Sequence, residues 1–315
     1  MKIAPAPLFQ DPIFDGPTDP TIIFNREEKT WWLIYTARRA NGPACGVGWV
    51  HGTDLGVASS DDGGQTWIYR GVLNLEPYEH GRNTYWAPEV IYVDGIYHMY
   101  VSYITGIPEN WNRPRHILHY TSKNLWDWKF ISRLDALGGK AIDACVYPLP
   151  EGGWRLFYKN EAVGSHTQYA DSQDLYNWVH HGDATSDCGQ EGPNVFKLGG
   201  DIFMIADIWD GQAVYRSADA TLTHWQRQAG KFMDGCGTRP QDGNRAHHAD
   251  VLSFGDKAYM FYFVHPFEPR SESEPFDDRK ARHSAVQVAC LVNDAGTLRV
   301  IRDEPFDFEL PMDYE

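Results

Sequence analysis

The feature that most constrains the fold of this 315-residue chain is a turn motif that recurs along it. Residues 60–67 read Ser-Asp-Asp-Gly-Gly-Gln-Thr-Trp, which matches the S-x-D-x-G-x-T-W pattern of an Asp-box turn. Degenerate copies end at Trp128, Trp178 and Trp225, at successive intervals of 61, 50 and 47 residues counted from Trp67. A period of about 40 to 50 residues indicates a fold built from repeated supersecondary units.

A second repeat lies between these turns and consists of an apolar strand, a tight polar turn and a strand of alternating aromatic residues. Its turns carry Asp-Gly, Gly-Gly or Gly-Asp pairs, or a polar Asn-Arg-Glu-Glu run, which are typical of β-hairpins. The five copies span residues 21–37, 89–103, 144–160, 194–208 and 250–264. Five hairpins predict an all-β, five-bladed β-propeller with four antiparallel strands per blade around a central channel.

We expect a single domain over residues 1–315, because no stretch of helical periodicity interrupts the repeat. Residues 268–282 are charged, contain proline and have few apolar side chains, so they are expected to form a surface loop. The stretch HSAVQVACLV from His283 predicts a returning strand that belongs to the last blade or closes the ring.

Composition and charge argue against two classes of partner. No run of about 18 apolar residues is present, so membrane insertion is not expected. The net charge of -15 would repel a phosphate backbone, which argues against nucleic acid as a partner. The 12 Trp and 17 Tyr residues favour either sugar binding, because sugar rings stack on aromatic faces, or simply a β-rich core.

The five cysteines and the N-terminal residues bear on location. The cysteines lack the close spacing of a disulfide framework or a zinc site, so reduced thiols are expected. The N-terminal residues carry one lysine but no apolar h-region, and so do not have the pattern of a secretory signal. We therefore expect a cytoplasmic location, or a periplasmic or secreted one if a leader has been removed.

The chain reaches the mouth of the predicted channel just before each inner strand, so residues there from different blades converge. The residues at these positions are Asp19, Glu89, Asp143, Glu191 and His248. Carboxylates that share a site push each other's pKa values apart, so a proton donor and a proton acceptor coexist at neutral pH. Taken alone, Asp19 before proline and Asp143 before a strand also fit simple turn formers.

These blade-start motifs resemble those of glycoside hydrolase family 43 and its relatives, over about residues 19–265. They are Asp-Pro-Thr at Asp19, Trp-Ala-Pro-Glu ending at Glu89, Ala-Ile-Asp ending at Asp143, and Glu-Gly-Pro-Asn-Val-Phe from Glu191. The family consists of five-bladed propellers that are inverting glycosidases of arabinosides, xylosides and galactosides. The resemblance implies that Asp19 is the general base, Glu191 the general acid, and Asp143 the group that raises the pKa of that acid.

The resemblance also implies a cation in the central channel beside a histidine. His248 matches that histidine, although His247 stands where the family often has glycine, and Glu89 stands where it commonly has Asp. No cofactor is expected to be required, and a structural calcium ion remains an open expectation.

The expected partner is an oligosaccharide of plant or algal origin. Trp86 and Trp32 are candidates for stacking on sugar rings, while Glu89, Arg245 and His247 are candidates for binding sugar hydroxyls or a carboxylate. Tryptophans in β-sheets are also common core residues. A long loop at residues 37–54 would close a pocket and favour exo action.

Three other interpretations stay open. A relative of the same clan could cleave another linkage, such as an α-1,3-anhydrogalactoside, with a histidine in place of Glu191 as the acid. The Asp-box alone also suggests a sialidase, but the arginines that bind a sialic carboxylate are not evident at the blade starts. Finally, a non-catalytic propeller could use the same acids to bind sugar hydroxyls or a cation.

Overall fold

The computed structural model describes residues 1–269 and 278–314, and its regular structure is almost entirely β. In chain order, the strands are β1 (Pro17–Asn25), β2 (Thr30–Ala37), β3 (Leu55–Ser60), β4 (Ile68–Val72), β5 (Asn74–Leu75), β6 (Thr84–Val93), β7 (Ile96–Ile104), β8 (His116–Ser122), β9 (Asp127–Arg133), β10 (Ala141–Pro148), β11 (Trp154–Asn160), β12 (His166–Ser172), β13 (Val179–Thr185), β14 (Glu191–Leu198), β15 (Asp201–Asp207), β16 (Gln212–Ser217), β17 (Trp225–Arg227), β18 (His247–Phe254), β19 (Lys257–Val264), β20 (Ala285–Asp294) and β21 (Thr297–Ile301). The α-helix found in this part of the chain is the short α1 (Asp278–Arg282), and single 3-10 turns occur at Gly48–Val50, Asp135–Leu137 and Glu161–Val163.

The strands form five sheets, and each sheet contains four consecutive strands that pair in antiparallel fashion. The sheets are β1–β4, β6–β9, β10–β13, β14–β17 and β18–β21, and β5 adds a two-residue parallel strand beside β9 at the outer edge of the second. The inner strands β1, β6, β10, β14 and β18 contact one another in a closed ring. The predicted five-bladed propeller is therefore confirmed, and all five predicted hairpins form inner strand pairs.

The ring closes between the first and last blades. The predicted returning strand is β20, the third strand of the fifth blade. Of the two alternatives, it is therefore the one in which this strand belongs to the last blade that is confirmed. The N-terminal segment runs along this blade, because the amides of Leu8 and Phe9 donate to the carbonyl of Val286 at 2.9 and 3.2 Å. The β1 and β18 strands then complete the ring from opposite ends of the chain.

The apolar core is divided among the interfaces between blades rather than collected at one centre. Alternation along β2 shows how this arises, since Trp31 packs toward the fifth blade with Tyr259 and Phe261 while Trp32 packs toward the second with Met99. Further clusters fill the remaining three interfaces. Burial of one such aromatic side chain contributes roughly 1.5 to 3 kcal/mol, so each blade is held by its neighbours.

The Asp-box at residues 60–67 is organised by one carboxylate. Asp62 accepts hydrogen bonds from the hydroxyl of Ser60 at 2.8 Å, from the amides of Gln65 and Thr66 at 2.9 Å each, and from the Thr66 hydroxyl at 2.6 Å. The Trp67 indole N–H donates to the carbonyl of Gly64 at 3.0 Å and closes the turn. Polar groups of the turn are thus satisfied within the motif itself.

The three degenerate copies adopt the same turn with different residues. Asn124, Asp174 and Asp219 each accept two or more hydrogen bonds from backbone amides that follow them by two to four residues. The indoles of Trp128 and Trp225 again donate to a carbonyl three residues earlier. The turn chemistry is therefore retained in four blades although only one copy keeps the full pattern.

The structure describes residues 268–269 and 278–282 of the predicted surface loop at residues 268–282. Residues 270–277 lie outside the described residues, and its last five residues form α1 rather than a loop. Within residues 1–269 and 278–314, no helix has the length and apolar character needed to cross a bilayer.

We predict that Asp62→Ala lowers the free energy of unfolding by about 2 kcal/mol, because several turn groups lose their acceptor at once. Asp61→Ala is the matched control, since the neighbouring side chain is exposed, and it should stay within about 0.5 kcal/mol of wild type. Urea unfolding followed by tryptophan fluorescence measures both. Equal losses in the two variants would contradict the role given to Asp62.

Candidate active site

Each inner strand carries an irregularity at the same height, near its first residues. The register with the second strand shifts between Thr18 and Thr21 in β1, between Ile142 and Cys145 in β10, and between His247 and Ala249 in β18. The β6 and β14 strands shift in the same way. A β-bulge re-aims the side chain of the extra residue, so the five bulges direct five positions toward one end of the channel.

The bulge residues adopt left-handed backbone conformations that most side chains avoid. Asp19, Asp143, Ala87 and Gly192 occupy equivalent positions with φ of 49°, 59°, 45° and 54°. Such strain is costly in a non-glycine residue and concentrates at functional sites. Glycine is required in β14, because a Cβ at Gly192 would lie 2.6 Å from Cγ of His248.

The bulges open into a cavity of about 300 Å³. Its walls carry four carboxylates, three basic side chains, a histidine and three tryptophans. The lining residues are Asp19, Arg38, Val50, Trp86, Trp111, Arg115, Ile142, Asp143, Lys159, Glu161, Glu191, Trp209 and His248. All three predicted catalytic acids and the predicted His248 are therefore brought together at this end of the channel.

Asp19 is buried and faces polar partners on several sides. Its Oδ2 accepts a hydrogen bond from the Thr18 hydroxyl at 3.0 Å and contacts the Arg38 guanidinium at 3.5 Å. Its Oδ1 lies 3.7 Å from Nδ1 of His248. These contacts hold the carboxylate at the cavity wall.

Asp143, on the third blade, is hydrogen-bonded to both neighbouring blades. Its amide donates to the Ser102 hydroxyl at 2.9 Å, and its Oδ2 accepts from the amide of Gly192 at 3.2 Å. Burial, opposed in part by His248 and reinforced by the charge of Glu191, raises the pKa of Asp143 to about 6. Asp143 therefore holds a proton more readily than an ordinary aspartate.

Glu191 forms an ion pair that the sequence did not suggest. Burial opposes its ionisation, but the Lys159 ammonium at 2.8 Å from Oε2 overcomes this and, with His248 and Arg38, lowers the pKa of Glu191. The net shift is therefore downward, and the expectation that Asp143 raises the pKa of Glu191 stays a prediction. The nearest charge to Glu191 is a cation, and opposite charge favours the ionised form.

Sequence reasoning also missed the other end of each inner hairpin. The second strand of a blade runs antiparallel to the first, so its last residues return to the same mouth. Arg38 directly follows β2, Lys159 lies at the end of β11 opposite Ile142, and Asp207 ends β15 opposite Glu191. A polar residue at the end of an aromatic second strand is the signal that would have identified them.

Asp207 anchors the loops beside Glu191. Its Oδ2 accepts from Nδ1 of His247 at 3.0 Å and from the amide of His248 at 3.1 Å, and its Oδ1 accepts from the amide of Trp209 at 2.7 Å. Arg245 donates to the carbonyl of Trp209 at 2.7 Å. His247 and Arg245 thus stand behind the cavity and hold its wall, and neither is among its lining residues.

The tryptophans divide into cavity and core residues. Trp86 lines the cavity, with its indole N–H donating to the carbonyl of Val50 at 2.6 Å, and the exposed Trp111 and Trp209 lie in loops that sequence reasoning did not single out. Trp32 has no exposed surface and packs against Trp126 at a centroid distance of 4.6 Å. The prediction that Trp32 contacts sugar is therefore wrong, because it fills an interface between blades.

Glu89 is not at the mouth of the channel. The bulge position in β6 belongs to Ala87, and Glu89 lies two residues further along the strand, where it lines a second cavity deeper in the channel with Asp250. Its Oε1 accepts from the amide of Val146 in the next blade at 2.7 Å. Predicting it beside Asp19 was wrong, since the residue of β6 that is equivalent to Asp19 is Ala87.

The same arrangement recurs around the channel. Asp250 accepts from the amide of Ile22 at 2.8 Å, and Sγ of Cys145 accepts from the amide of Val195 at 3.2 Å, in each case from one inner strand to the next. Burial and the nearby charge of Asp250 raise the pKa of Glu89 to about 8. Glu89 is a structural link between blades.

The expected calcium ion is not supported by a set of ligands. In residues 1–269 and 278–314, no three His, Cys, Asp or Glu side chains lie close enough together to hold a metal ion. Nδ1 of His248 lies 3.7 Å from Oδ1 of Asp19. A cation ligand role for His248 stays a prediction.

The chain resembles known proteins in its fold but not in its sequence. No protein-family model matches the sequence, and no curated protein matches it significantly. Among solved structures, a thermostable family-43 glycoside hydrolase superposes with a TM-score of 0.68 at 18% identity, covering 96% of this chain and 99% of that one. An exo-1,5-α-L-arabinanase from a bovine ruminal metagenomic library gives 0.59 at 16% identity, covering 93% and 100%.

A third solved structure extends the likeness to another glycosidase family. The family-32 β-fructofuranosidase of Bombyx mori superposes with a TM-score of 0.66 at 13% identity, covering 91% of this chain and 63% of that one. At these identities the likeness establishes the fold. The fold implied by the blade-start motifs is thereby confirmed.

We predict that Glu89→Gln removes a fall in stability at high pH. The raised pKa means that the folded chain binds a proton that the unfolded chain loses above about pH 4.5, so wild-type stability declines from there through about pH 8. Glutamine keeps an oxygen acceptor for the amide of Val146 and does not titrate. Relative to wild type, the variant should gain at least about 1 kcal/mol between pH 5 and pH 9.

Urea unfolding at the two pH values measures this difference. The exposed Glu151→Gln is the matched control and should follow the wild-type pH dependence. Parallel behaviour of Glu89→Gln and wild type would show that the channel does not hold a protonated carboxyl.

Proposed function

We propose that this protein is a glycoside hydrolase that inverts the anomeric centre of an oligosaccharide, with Asp19 as general base and Glu191 as general acid. The observation that carries the proposal is the convergence of Asp19, Asp143 and Glu191, from three different blades, on one cavity walled by tryptophans. Most glycoside hydrolases use a pair of carboxyl groups on either side of the scissile bond, and this cavity is large enough for a sugar. The likeness of fold to family-43 and family-32 glycosidases supports the same conclusion.

The chemistry divides the carboxyl groups by their surroundings. Asp19 lies beside the Arg38 guanidinium and the His248 imidazole, and its carboxylate would deprotonate a water molecule. Glu191 would protonate the departing oxygen as the bond to the anomeric carbon breaks. Asp143, between them in the charge network, takes up or releases a proton as Glu191 changes its ionisation.

The proposed substrate is a short oligosaccharide of the arabinoside, xyloside or galactoside type, cleaved from its end. Trp86, Trp111 and Trp209 offer aromatic surfaces to the C–H faces of sugar rings. A cavity of about 300 Å³ is at the small end of ligand pockets, which suits a terminal sugar better than the interior of a polymer. Internal cleavage of a polysaccharide would contradict exo action.

One observation favours a second assignment of the acid. His248 lines the cavity and approaches Asp19, while Glu191 is ion-paired. If the chain cleaves an α-1,3-anhydrogalactoside or a related linkage, His248 is the candidate acid. A sugar-binding propeller without turnover is the remaining alternative, in which the same carboxylates accept hydrogen bonds from hydroxyl groups.

We predict that wild-type protein hydrolyses at least one disaccharide or aryl glycoside of arabinose, xylose, galactose or anhydrogalactose, with inversion seen by proton NMR. Asp19→Asn should lower kcat by a factor of about 100 or more, because it removes the base. Saturable sugar binding without turnover by wild type would favour the binding propeller. Retention of configuration would overturn the assignment of Asp19.

We further predict that Glu191→Gln and His248→Gln separate the two acid assignments. The acid is needed most for a sugar leaving group and least for 2,4-dinitrophenolate, which departs without a proton. Glu191→Gln should therefore lower kcat on the disaccharide by about 100-fold or more and on the dinitrophenyl glycoside far less. That leaving-group pattern in His248→Gln instead would assign the acid to the histidine.

A further inference from the structure

Four charged side chains of alternating sign form a chain along one wall of the cavity. The Arg115 guanidinium lies 2.9 Å from Oε2 of Glu161, and Nζ of Lys159 lies 3.4 Å from Oε1 of the same residue. The ammonium also lies 2.8 Å from Oε2 of Glu191. Lys159 therefore has two carboxylate partners, one of them the proposed acid.

This arrangement is not what stability alone would select. Lys159 is 5% exposed, and a buried ion pair is commonly no more stable than well-packed apolar residues of the same size. Its ammonium also lies 5.3 Å from the centre of the Trp209 ring, at the cavity wall. A buried cation placed between two carboxylates of a binding cavity points to a role in the site.

The contact with Glu191 conflicts with the role proposed for that residue. A general acid must carry a proton when the glycosidic oxygen departs, whereas an ammonium at 2.8 Å stabilises the carboxylate. Lys159 keeps its own proton, since ion pairing with Glu191 raises its pKa despite burial. Either Lys159 leaves Glu191 before the chemical step or Glu191 remains ionised.

We propose that Lys159 is a positioning residue that passes from Glu191 to Glu161 when substrate binds, so that Glu191 takes up a proton from water. This inference rests on the proposed function and deepens its mechanism. Glu161 is held in place by Arg115 and by its position at the start of the Glu161–Val163 turn, directly after β11. Lys159 needs only to move off one partner while it approaches a second that is already within 3.4 Å.

The other charged groups around Glu191 come from five further segments. They are Asp19 of β1, Arg38 after β2, Asp143 of β10, Asp207 of β15 and His248 of β18. Burial raises the pKa of Asp143, in the same cluster, to about 6, so the observed pH limits belong to the cluster rather than to one group. Effects that depend on Lys159 are therefore isolated by comparing variants, not by reading one profile.

The test is the pH dependence of kcat and of kcat/KM on the disaccharide identified by the substrate screen. The profile of kcat/KM reports groups in the free enzyme and that of kcat reports groups in the complex. In wild type, the alkaline limit of kcat should lie at least about one pH unit above that of kcat/KM, because Lys159 leaves Glu191 on binding. Glu161→Gln removes the second partner and should abolish this difference.

Lys159→Met should raise the alkaline limit of kcat/KM by about one to three pH units, since the opposite charge beside Glu191 is gone. The exposed Lys197→Met on β14 is the matched control and should leave both limits unchanged. Coincident limits in wild type, or a Lys159→Met profile like that of wild type, would overturn the proposal while leaving the glycosidase assignment intact. Absence of turnover on every glycoside would instead overturn the proposed function.

A second measurement needs no substrate. Carbon-13 NMR of protein labelled at the glutamate carboxyls, with Glu191 assigned by its loss in Glu191→Gln, follows the ionisation of that residue directly. Lys159→Met should titrate Glu191 about one to three pH units higher than wild type does. If Lys159→Met does not fold, Glu161→Gln retains Lys159 and should move the Glu191 titration to lower pH. An unchanged titration in Glu161→Gln would contradict the shared ammonium.

Discussion

The site depends on one extra residue in each inner strand. Without the bulges, the side chains at Asp19 and Asp143 would follow the ordinary alternation of a β-strand and point toward the blade interfaces or along the channel. The left-handed backbone at these positions is held by strands buried on both sides. Five apolar interfaces between blades thus supply the rigidity that the strained positions require, and the acids converge because the ring makes them converge.

The charges in the cavity are balanced within the cavity. Arg38 and His248 face Asp19, Lys159 faces Glu191, and the raised pKa of Asp143 favours its neutral form relative to an ordinary aspartate. Buried charges are tolerated only when paired, so the acids could not be gathered without the cations that came from the second strands. Because Lys159 contacts both Glu191 and Glu161, a small movement of its ammonium would change the pKa of each carboxyl group.

The fold could be predicted from sequence because its signals are local. An Asp-box such as that around Asp62, or a hairpin turn, is encoded by a few consecutive residues, and the number of repeated hairpins predicts the number of blades. Roles that depend on contacts between blades could not be predicted in this way. Trp32 and Trp86 look alike in sequence, yet Trp32 is a core residue and Trp86 lines the cavity. Glu89 lies two residues beyond the bulge residue of its strand. Lys159 contacts Glu191 across the interface between the third and fourth blades, which the sequence does not show.

The closure of the ring between β1 and β18 has a consequence for how the chain acquires its site during synthesis. Asp19 leaves the ribosome before His248, which it contacts and which follows more than two hundred residues later. Each blade can pair its own strands as it emerges, because the strands of a blade are consecutive. The cavity, however, forms only when the fifth blade meets the first, so a nascent chain carries all its acids yet has no place where they meet.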